Sequence, residues 1–226
     1  MSAKVAIVAG AGGPLGHATV AALAANGLTV VAVDRNEREL GDFPEDIRRE
    51  VADATDPAVA TPLIDRIASE VGPPDVLVNT IGAFRLGDML STTPETLRLM
   101  MDVNLGPALW LSQAVAWHMR QQGSGVIVHV AARPGIELTA GMAAYSISKA
   151  ALVHLTRILD LELRPHGIRV NAVAPQLLDT PVNRGIFPAE TLAHAVAPET
   201  IADAIAFLVS DTAAPVSGAI LPAYGA

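Results

Sequence analysis

The sequence predicts an α/β fold in which helices cover both faces of an open, doubly wound parallel β-sheet. Short β-rich runs alternate with longer helical segments along the whole chain, and a glycine-rich turn follows the first run directly. Strands that alternate with helices are joined by crossover connections, which place the strands parallel in one sheet. The 226 residues contain no linker, repeat or low-complexity segment, so we predict one domain over residues 1–226.

Seven runs rich in β-branched and apolar residues are the predicted strands. They lie at 5–9, 29–33, 46–51, 75–79, 125–131, 168–174 and 218–223, and the run at 46–51 is the weakest. Three of the intervening helices have explicit starts, because Pro57, Pro94 and Pro198 stand at the first helical position, where the missing N–H costs nothing. The sequence therefore predicts about seven strands with helices on both faces.

Composition narrows the class of protein. The net charge of -8 disfavours a surface that binds nucleic acid through its phosphates. The absence of cysteine excludes disulfides, thiolate zinc sites and a cysteine nucleophile, and the six scattered histidines show no metal-ligand spacing. No apolar run reaches the roughly 18 residues that a membrane span needs, and the apolar start has no signal-peptide cleavage site. We expect a soluble, cytoplasmic protein with no nucleic-acid, membrane or metal partner.

The first predicted strand ends in the glycine turn AGAGGPLG, which places Gly10, Gly13 and Gly16 directly before a helix. Such glycines let the backbone approach a pyrophosphate at the helix start, although a glycine turn alone is often only a turn. The second strand ends at Asp34, about 20 residues further on, where a carboxylate accepts hydrogen bonds from the adenosine ribose and repels a 2′-phosphate. The sequence therefore favours NAD over NADP. The adjacent Arg35 leaves NADP open, because a guanidinium pairs well with phosphate.

A tyrosine and a lysine, Tyr145 and Lys149, have i, i+4 spacing and share one face of a predicted helix. A phenol with a pKa near 10 is a poor acid-base catalyst at neutral pH, so we expect the neighbouring ammonium to lower that pKa. Upstream, where a partner hydroxyl is expected, the chain has Ala131 and Ala132. His129, in an apolar strand, is interpreted as a core histidine with its hydrogen bonds satisfied.

Asn104 lies just before a predicted break in a helix. Gly106 and Pro107 follow it, and Pro107 cannot donate to the carbonyl of Val103. We expect the break to free backbone acceptors beside Asn104, where an ordered water can bind.

Together these features resemble the short-chain dehydrogenase/reductase family over essentially the whole chain. The motifs that carry the resemblance are the glycine turn, VADATD at 51–56, NTIG at 79–82, DVNLG around Asn104, YSISK at 145–149 and RVNAVAPQLLDTP at 169–181. The resemblance implies a Rossmann-like NAD(P)-binding domain. It also implies hydride transfer between nicotinamide and a small alcohol or carbonyl, or an electron-poor quinonoid or imine-like substrate.

The resemblance also implies the residues of the site. Tyr145 would donate or accept the proton, Lys149 would bind the nicotinamide ribose, and Asn104 would support a water linked to Lys149. The implied cofactor-binding residues are Gly10, Gly13, Leu15, Gly16, Asp34, Arg35, Asp53, Ala54, Asn79, Gly82, Tyr145, Lys149, Pro175, Leu178 and Thr180.

Several residues depart from the family pattern. Ala9 and Pro14 in the glycine turn should leave cofactor binding intact, and two further departures concern the chemistry. Ala132 stands where the family has the serine that polarises the substrate carbonyl, and Gln176 stands where it has a glycine beside the nicotinamide. Some members without the serine, notably quinonoid dihydropteridine reductases, still transfer hydride because their acceptor is already electron-poor. We therefore expect an active enzyme. The alternatives are a sensor that binds the cofactor without turnover and a subunit that assembles with another reductase chain.

The substrate pocket is expected under a short covering segment at 180–198, which suggests an open pocket or a large substrate. The side chains expected around it are Phe84, Arg85, Ala132, Arg133, Glu137, Met142 and Gln176. Arg133 has two interpretations: it contacts the substrate, or it forms a surface salt bridge with Glu137 four residues on.

Helices predicted at about 94–122 and 140–164 carry apolar residues around most of their circumference. One apolar stripe is enough to pack a helix on a sheet. We therefore expect the remaining apolar surface to be buried in a symmetric homo-oligomer, which by the family resemblance is a homotetramer or homodimer.

Overall fold

A computed structural model describes residues 3–225, which form a parallel sheet of seven strands in the order β3-β2-β1-β4-β5-β6-β7. The strands are β1 (Val5–Ala9), β2 (Thr29–Asp34), β3 (Arg48–Val51), β4 (Val76–Asn79), β5 (Gly125–Val130), β6 (Ile168–Pro175) and β7 (Ile220–Ala223). The predicted fold class and the number of strands are confirmed. The weak run at 46–51 contributes only its last four residues, since the preceding residues form a turn.

Nine α-helical segments lie in the described part of the chain. They are α1 (Pro14–Ala25), α2 (Glu37–Leu40), α3 (Pro57–Glu70), α4 (Pro94–Asn104), α5 (Gly106–Gln122), α6 (Ala143–Leu163), α7 (Pro181–Ile186), α8 (Ala189–Leu192) and α9 (Pro198–Val209). The predicted starts at Pro57, Pro94 and Pro198 are confirmed. Side chains of Asp56 and Thr93 cap α3 and α4 by accepting backbone N–H groups of the first turn.

The sheet is buried on both faces, because alternate strand residues point into two separate cores. One core packs α3, α5 and α6 against Ile7, Leu77, Ile127 and Val170, and the other packs α1 and α9 against Val8, Val78, Val128 and Val173. Burying each such side chain contributes about 1.5–3 kcal/mol. Strands buried on both faces read as continuous apolar runs, which explains why the sequence shows β1 and β2 so clearly.

Strand order reverses between β1 and β4, since successive strands are added on one side up to β3 and on the other side from β4 onward. The carboxyl ends of the strands at such a reversal border a crevice that binds ligands in α/β proteins. Every predicted site motif lies at this edge of the sheet. The fold therefore gathers motifs that are far apart in the sequence.

The predicted interruption of the long helix at 94–122 is confirmed, because α4 ends at Asn104 and α5 begins at Gly106. Pro107, the second residue of α5, cannot continue the hydrogen-bond ladder of α4. Asn104 is consequently the last residue of α4 and is fully buried. The predicted helix at 140–164 begins later, at Ala143.

Candidate active site

The glycine turn after β1 forms a tight cradle at the start of α1. Gly10 has φ of +81°, and a Cβ there would lie 2.7 Å from Thr80 Oγ1. A Cβ on Gly16 would overlap the Gly10 carbonyl, whereas one on Gly13 would come no closer than 3.6 Å to it. Gly13 is the N-cap of α1 and Leu15 is buried under the turn. This arrangement leaves the N–H groups of α1 beside an open backbone, which suits a pyrophosphate.

Asp34, the last residue of β2, lies against the glycine turn. Its carboxylate accepts hydrogen bonds from Gly12 N at 3.0 Å and from Asn36 N at 2.9 Å, which ties the end of β2 to the glycine turn. Arg35 is exposed, and its charge contributes to a low pKa at Asp53. The Asp34 carboxylate is thus fixed at the glycine turn.

Asp53 and Ala54 follow β3, as the VADATD motif predicts. The side chain of Asp53 accepts hydrogen bonds from Thr55 Oγ1 at 2.6 Å and Thr55 N at 3.0 Å, and these bonds lower the pKa of its carboxyl. Ala54 is buried against the core under α3. The backbone of this segment is therefore held rigidly at the side of the crevice where an adenine would lie.

The floor of the crevice brings together Gly82, Asn104 and Lys149 from three different elements. A Cβ on Gly82 would lie 2.9 Å from Asn104 Oδ1 and 3.2 Å from Lys149 Nζ. The ammonium group of Lys149 donates to the Val130 carbonyl at 2.8 Å. Burial lowers the pKa of Lys149 to about 8. Only a glycine at position 82 leaves room for the lysine and the asparagine to converge.

Asn104 uses its whole amide to hold the floor in place. Its Oδ1 accepts from Ala83 N at 2.9 Å, and its Nδ2 donates to the Ala83 carbonyl and to Ser148 Oγ, each at 3.0 Å. Ser148 in turn donates to the Tyr145 carbonyl at 2.7 Å. The asparagine therefore joins the loop after β4 to the first turn of α6, which carries the tyrosine and the lysine.

Tyr145 lies beneath an aromatic cover. The Phe84 ring meets it edge-on with the two centroids 5.2 Å apart, and Phe187 lies 5.8 Å from Phe84. Burial raises the pKa of Tyr145 to about 12. The expectation that Lys149 lowers this pKa is therefore wrong for this arrangement, because desolvation of the phenol dominates.

Ala132 is buried between β5 and a short 3₁₀ turn at Arg133–Gly135. Arg133 forms the salt bridge with Glu137 that was one of its two interpretations, with Nε 2.7 Å from Oε2. It also donates from Nη1 to Gln176 Oε1 at 2.9 Å, and its guanidinium carbon lies 4.9 Å from the ring centroid of Tyr224. Tyr224 was not predicted, because it follows the last strand in a segment without a recognisable pattern.

The remaining predicted residues lie in or beside the segments that follow β4 and β6. Pro175 ends β6, Leu178 pairs with Val196 across the covering segment, and Thr180 accepts from Asn183 N as the cap of α7. Met142 pairs with Gly87 in the loop after β4. Arg85 turns back to donate to the Phe84 carbonyl.

A buried polar pair lies behind the floor and was missed as a pair. Asn79 and His129 are register partners on β4 and β5. His129 Nε2 lies 3.4 Å from Ser112 Oγ, but Asn79 Nδ2 and His129 Nδ1 are buried without a hydrogen-bond partner among the described residues. Burial and the charge of Lys149 lower the pKa of His129 to about 3, so it is neutral. The interpretation of His129 as a fully satisfied core residue holds for one nitrogen only.

Comparison with known proteins agrees with this architecture. The family model of the short chain dehydrogenases matches residues 4–191. Over 96% of its length the chain is 36% identical to galactitol 2-dehydrogenase of Rhizobium johnstonii, covering 91% of that protein. Over its full length it is 35% identical to L-xylulose reductase of Cavia porcellus, covering 96% of that protein. A crystal structure of a short-chain oxidoreductase from Burkholderia thailandensis superposes with a TM-score of 0.89 at 31% identity, covering 98% of this chain and 91% of that one.

The fold and the crevice thus define a nicotinamide-dependent oxidoreductase. The chain belongs to the short-chain dehydrogenase/reductase family and is an enzyme of that class. The residues present fit such a cofactor, because Gly10, Gly16 and Gly82 let the glycine turn, α1 and the polar floor pack closely around the crevice, where any Cβ would collide with protein atoms. Within residues 3–225 no helix is long and apolar enough to cross a membrane.

Proposed function

We propose that the protein transfers hydride between NAD and a small alcohol or carbonyl compound, and that Tyr145 moves the proton. The observation that carries the proposal is the convergence of Asn104 and Lys149 on Gly82, joined through Ser148 to the turn that holds Tyr145. A chain that only senses the cofactor has no physical need to build this polar floor. When bound, the nicotinamide supplies or accepts the hydride.

Tyr145 is proposed as the proton donor in carbonyl reduction and the acceptor in alcohol oxidation. With a pKa of about 12 the phenol carries its proton at neutral pH and is therefore in the form that can donate, but a pKa so far above neutrality makes it a weak acid. Lys149 lies one helical turn from Tyr145, and burial lowers its pKa to about 8. Its ammonium group, which lies near the Asn104 amide, is proposed to supply the proton that replaces the one lost from Tyr145. The water beside Asn104 stays a prediction.

The cofactor is proposed to be NAD, with Asp34 against the adenosine ribose. The carboxylate is anchored by two backbone N–H groups, so it cannot turn away from a 2′-phosphate without losing both bonds. The cofactor contacts expected of the other motif residues are proposed on the same basis, since those residues border one crevice.

A single domain in a homotetramer or homodimer is proposed for the whole chain.

The substrate is proposed to lie between the aromatic cover of Phe84 and Phe187 and the polar group formed by Arg133 and Gln176. The names of the two relatives support a hydroxylated substrate, since one acts on galactitol and the other on L-xylulose. Ala132 is proposed to replace the serine that polarises the carbonyl in the family. An electron-poor quinonoid or imine-like acceptor fits such a site as well.

The decisive test is Tyr145→Phe, which removes the phenolic proton and leaves the ring that packs on Phe84. Reduction of L-xylulose, cyclohexanone and a quinonoid dihydropterin is followed by NADH consumption. We expect the variant to lose about 10²–10⁴ in kcat, which is the usual contribution of a general acid. NADH binding, measured by fluorescence titration, should change little. An active Tyr145→Phe protein contradicts the assignment, and an unmodified protein that binds NADH but reduces nothing contradicts turnover itself.

A further inference from the structure

The side-chain amide of Gln176 is fixed in one orientation by Arg133. A guanidinium has only donors, so the group that faces Arg133 Nη1 at 2.9 Å must be the amide oxygen of Gln176. The amide NH₂ consequently points away from Arg133 with both of its hydrogens available. Within residues 3–225 this NH₂ forms no hydrogen bond to another side chain or to the backbone.

Arg133 is itself held from three directions. Glu137 accepts from its Nε at 2.7 Å, Gln176 accepts from its Nη1, and the ring of Tyr224 lies 4.9 Å from its guanidinium carbon. A side chain held on three sides loses little further freedom when a ligand binds. The orientation of the Gln176 amide is therefore set before any substrate arrives, which is the condition for a strong electrostatic donor.

The fold places this amide at the catalytic edge of the sheet. Gln176 follows the last residue of β6, and β6 pairs with β5, whose continuation is Ala131, Ala132 and Arg133. The 3₁₀ turn that begins at Arg133 packs directly on α6, because a Cβ on Gly135 would lie 2.7 Å from the backbone carbonyl carbon of Lys149. By the register that pairs Val130 with Val173, Gln176 lies level with Arg133, one residue past Ala132, at the end of the sheet where Lys149 reaches the Val130 carbonyl.

We propose that Gln176 Nε2 donates a hydrogen bond to the substrate carbonyl oxygen and so does the work of the hydroxyl that Ala132 lacks. This inference rests on the proposed function. In carbonyl reduction the cofactor delivers hydride to the carbon, and the oxygen receives a proton from Tyr145. Gln176 stabilises the negative charge that develops on that oxygen and keeps its own protons. The amide of Gln176 would then replace, as hydrogen-bond donor, the hydroxyl that is absent at Ala132.

The test is Gln176→Met, which keeps the length of the side chain and removes the donor. Cyclohexanone and L-xylulose are the probes, with NADH as reductant. Removing one donor of this kind commonly lowers kcat about 10²–10³-fold. We expect a loss of that size, with KM for the ketone raised by no more than about fivefold and NADH affinity changed by less than about threefold. Circular dichroism melting checks that the variant is folded.

The double variant Ala132→Ser, Gln176→Met distinguishes a donor from a merely structural residue. A serine hydroxyl at 132 should restore most of the lost kcat. A second measurement needs no turnover: calorimetry of cyclohexanone binding to the NAD⁺ complex, which cannot react. One hydrogen bond contributes about 1 kcal/mol net, so Gln176→Met should weaken this binding about fivefold.

The outcomes separate this inference from the proposed function. If Tyr145→Phe is inactive but Gln176→Met keeps its kcat and its ketone affinity, the role of Gln176 is overturned and the proposed function stands. Failure of Ala132→Ser to restore kcat also overturns it, since the loss is then structural. If the unmodified protein reduces the quinonoid dihydropterin but no ketone, the role of Gln176 is overturned and hydride transfer stands; if it reduces neither, both are overturned.

Discussion

At the scale of single residues, spacing predicts which groups meet, while burial decides their ionisation. The sequence places Tyr145 and Lys149 on one face of a helix, and the structure agrees. The sequence does not show that Phe84 packs on the phenol or that Lys149 reaches the Val130 carbonyl, both of which the structure contains. The two pKa values therefore move apart, to about 12 and about 8, by desolvation of each charged form. Long-range contacts of this kind are set by tertiary packing and leave no local pattern.

The same limit applies to the polar group around Arg133. Its i, i+4 partner Glu137 is readable from the sequence, and that salt bridge is present. Gln176 and Tyr224 reach it from β6 and from the end of the chain. Neither contact has a sequence pattern, although the sequence does predict that Gln176 lies beside the substrate pocket.

A prediction at this scale concerns cofactor choice. Asp34→Asn removes the charge that repels a 2′-phosphate, and it keeps one of the two oxygens that accept from the Gly12 and Asn36 backbone. We expect the unmodified protein to bind NADH more tightly than NADPH, and the variant to narrow the gap about tenfold or more, since a nearby like charge costs more than 1 kcal/mol near a protein surface. Fluorescence titration with both cofactors measures it.

The control is Asp203→Asn, which removes a charge of the same kind from the exposed side of α9, beside Lys4 and Asn26 and so at the opposite end of β1 from the glycine turn. It should leave the ratio of the two affinities unchanged. Equal binding of NADH and NADPH by the unmodified protein is the result that contradicts the role of Asp34.

At the scale of elements, the sequence predicts strands and helix starts well, because both rest on local chemistry. Pro57 and Pro94 begin α3 and α4 as expected, and the break at Asn104 follows from Pro107. Boundaries in the weaker elements shift, since β3 and β7 are short edge strands with few pairing residues. The order of strands is not local, but the crossover rule for parallel strands predicts that a single open sheet forms.

The unit of β1, the glycine turn and α1 offers a matched pair of variants. A Cβ on Gly16 would collide with the Gly10 carbonyl and the Ala11 backbone, whereas a Cβ on Gly13 meets nothing closer than 3.6 Å. Gly13 also has ordinary extended dihedral angles, with φ of -77°. We expect Gly16→Ala to lower the free energy of unfolding by about 1–3 kcal/mol, as overpacking does, and Gly13→Ala to change it by less than about 0.5 kcal/mol.

Urea denaturation measures both variants, and NADH titration then separates packing from binding. Gly13→Ala should be stable yet bind NADH more weakly, because its new methyl group projects where a pyrophosphate approaches the backbone. If Gly13→Ala binds NADH as the unmodified protein does, the turn is not the pyrophosphate site. If both variants are equally stable, the close approach of α1 to β1 is incorrect.

At the scale of the whole molecule, composition indicates more apolar surface than a single chain buries. Charged residues make up only 17% of the sequence. The structure locates part of this surface on the outer side of α6, where Ile147, Ile158 and Leu161 recur at helical spacing and are 52%, 39% and 71% exposed. The inner side of α6 packs Leu152 and Leu159 into the molecule, so the outer stripe has no partner within the described chain.

The last prediction is that this outer stripe pairs with its copy across a two-fold axis. In an isologous contact Ile158 of one subunit packs against the outer stripe of the other. Burying this apolar surface stabilises the dimer by about 25 cal/mol per Å². Leu161→Glu would place a charge from each subunit in that contact, so the variant should sediment as a smaller species than the unmodified oligomer. Ala21→Glu adds the same charge on the exposed side of α1 and should not change the sedimentation coefficient. Sedimentation velocity over a concentration series decides it, and an unmodified protein that stays monomeric throughout rules the interface out.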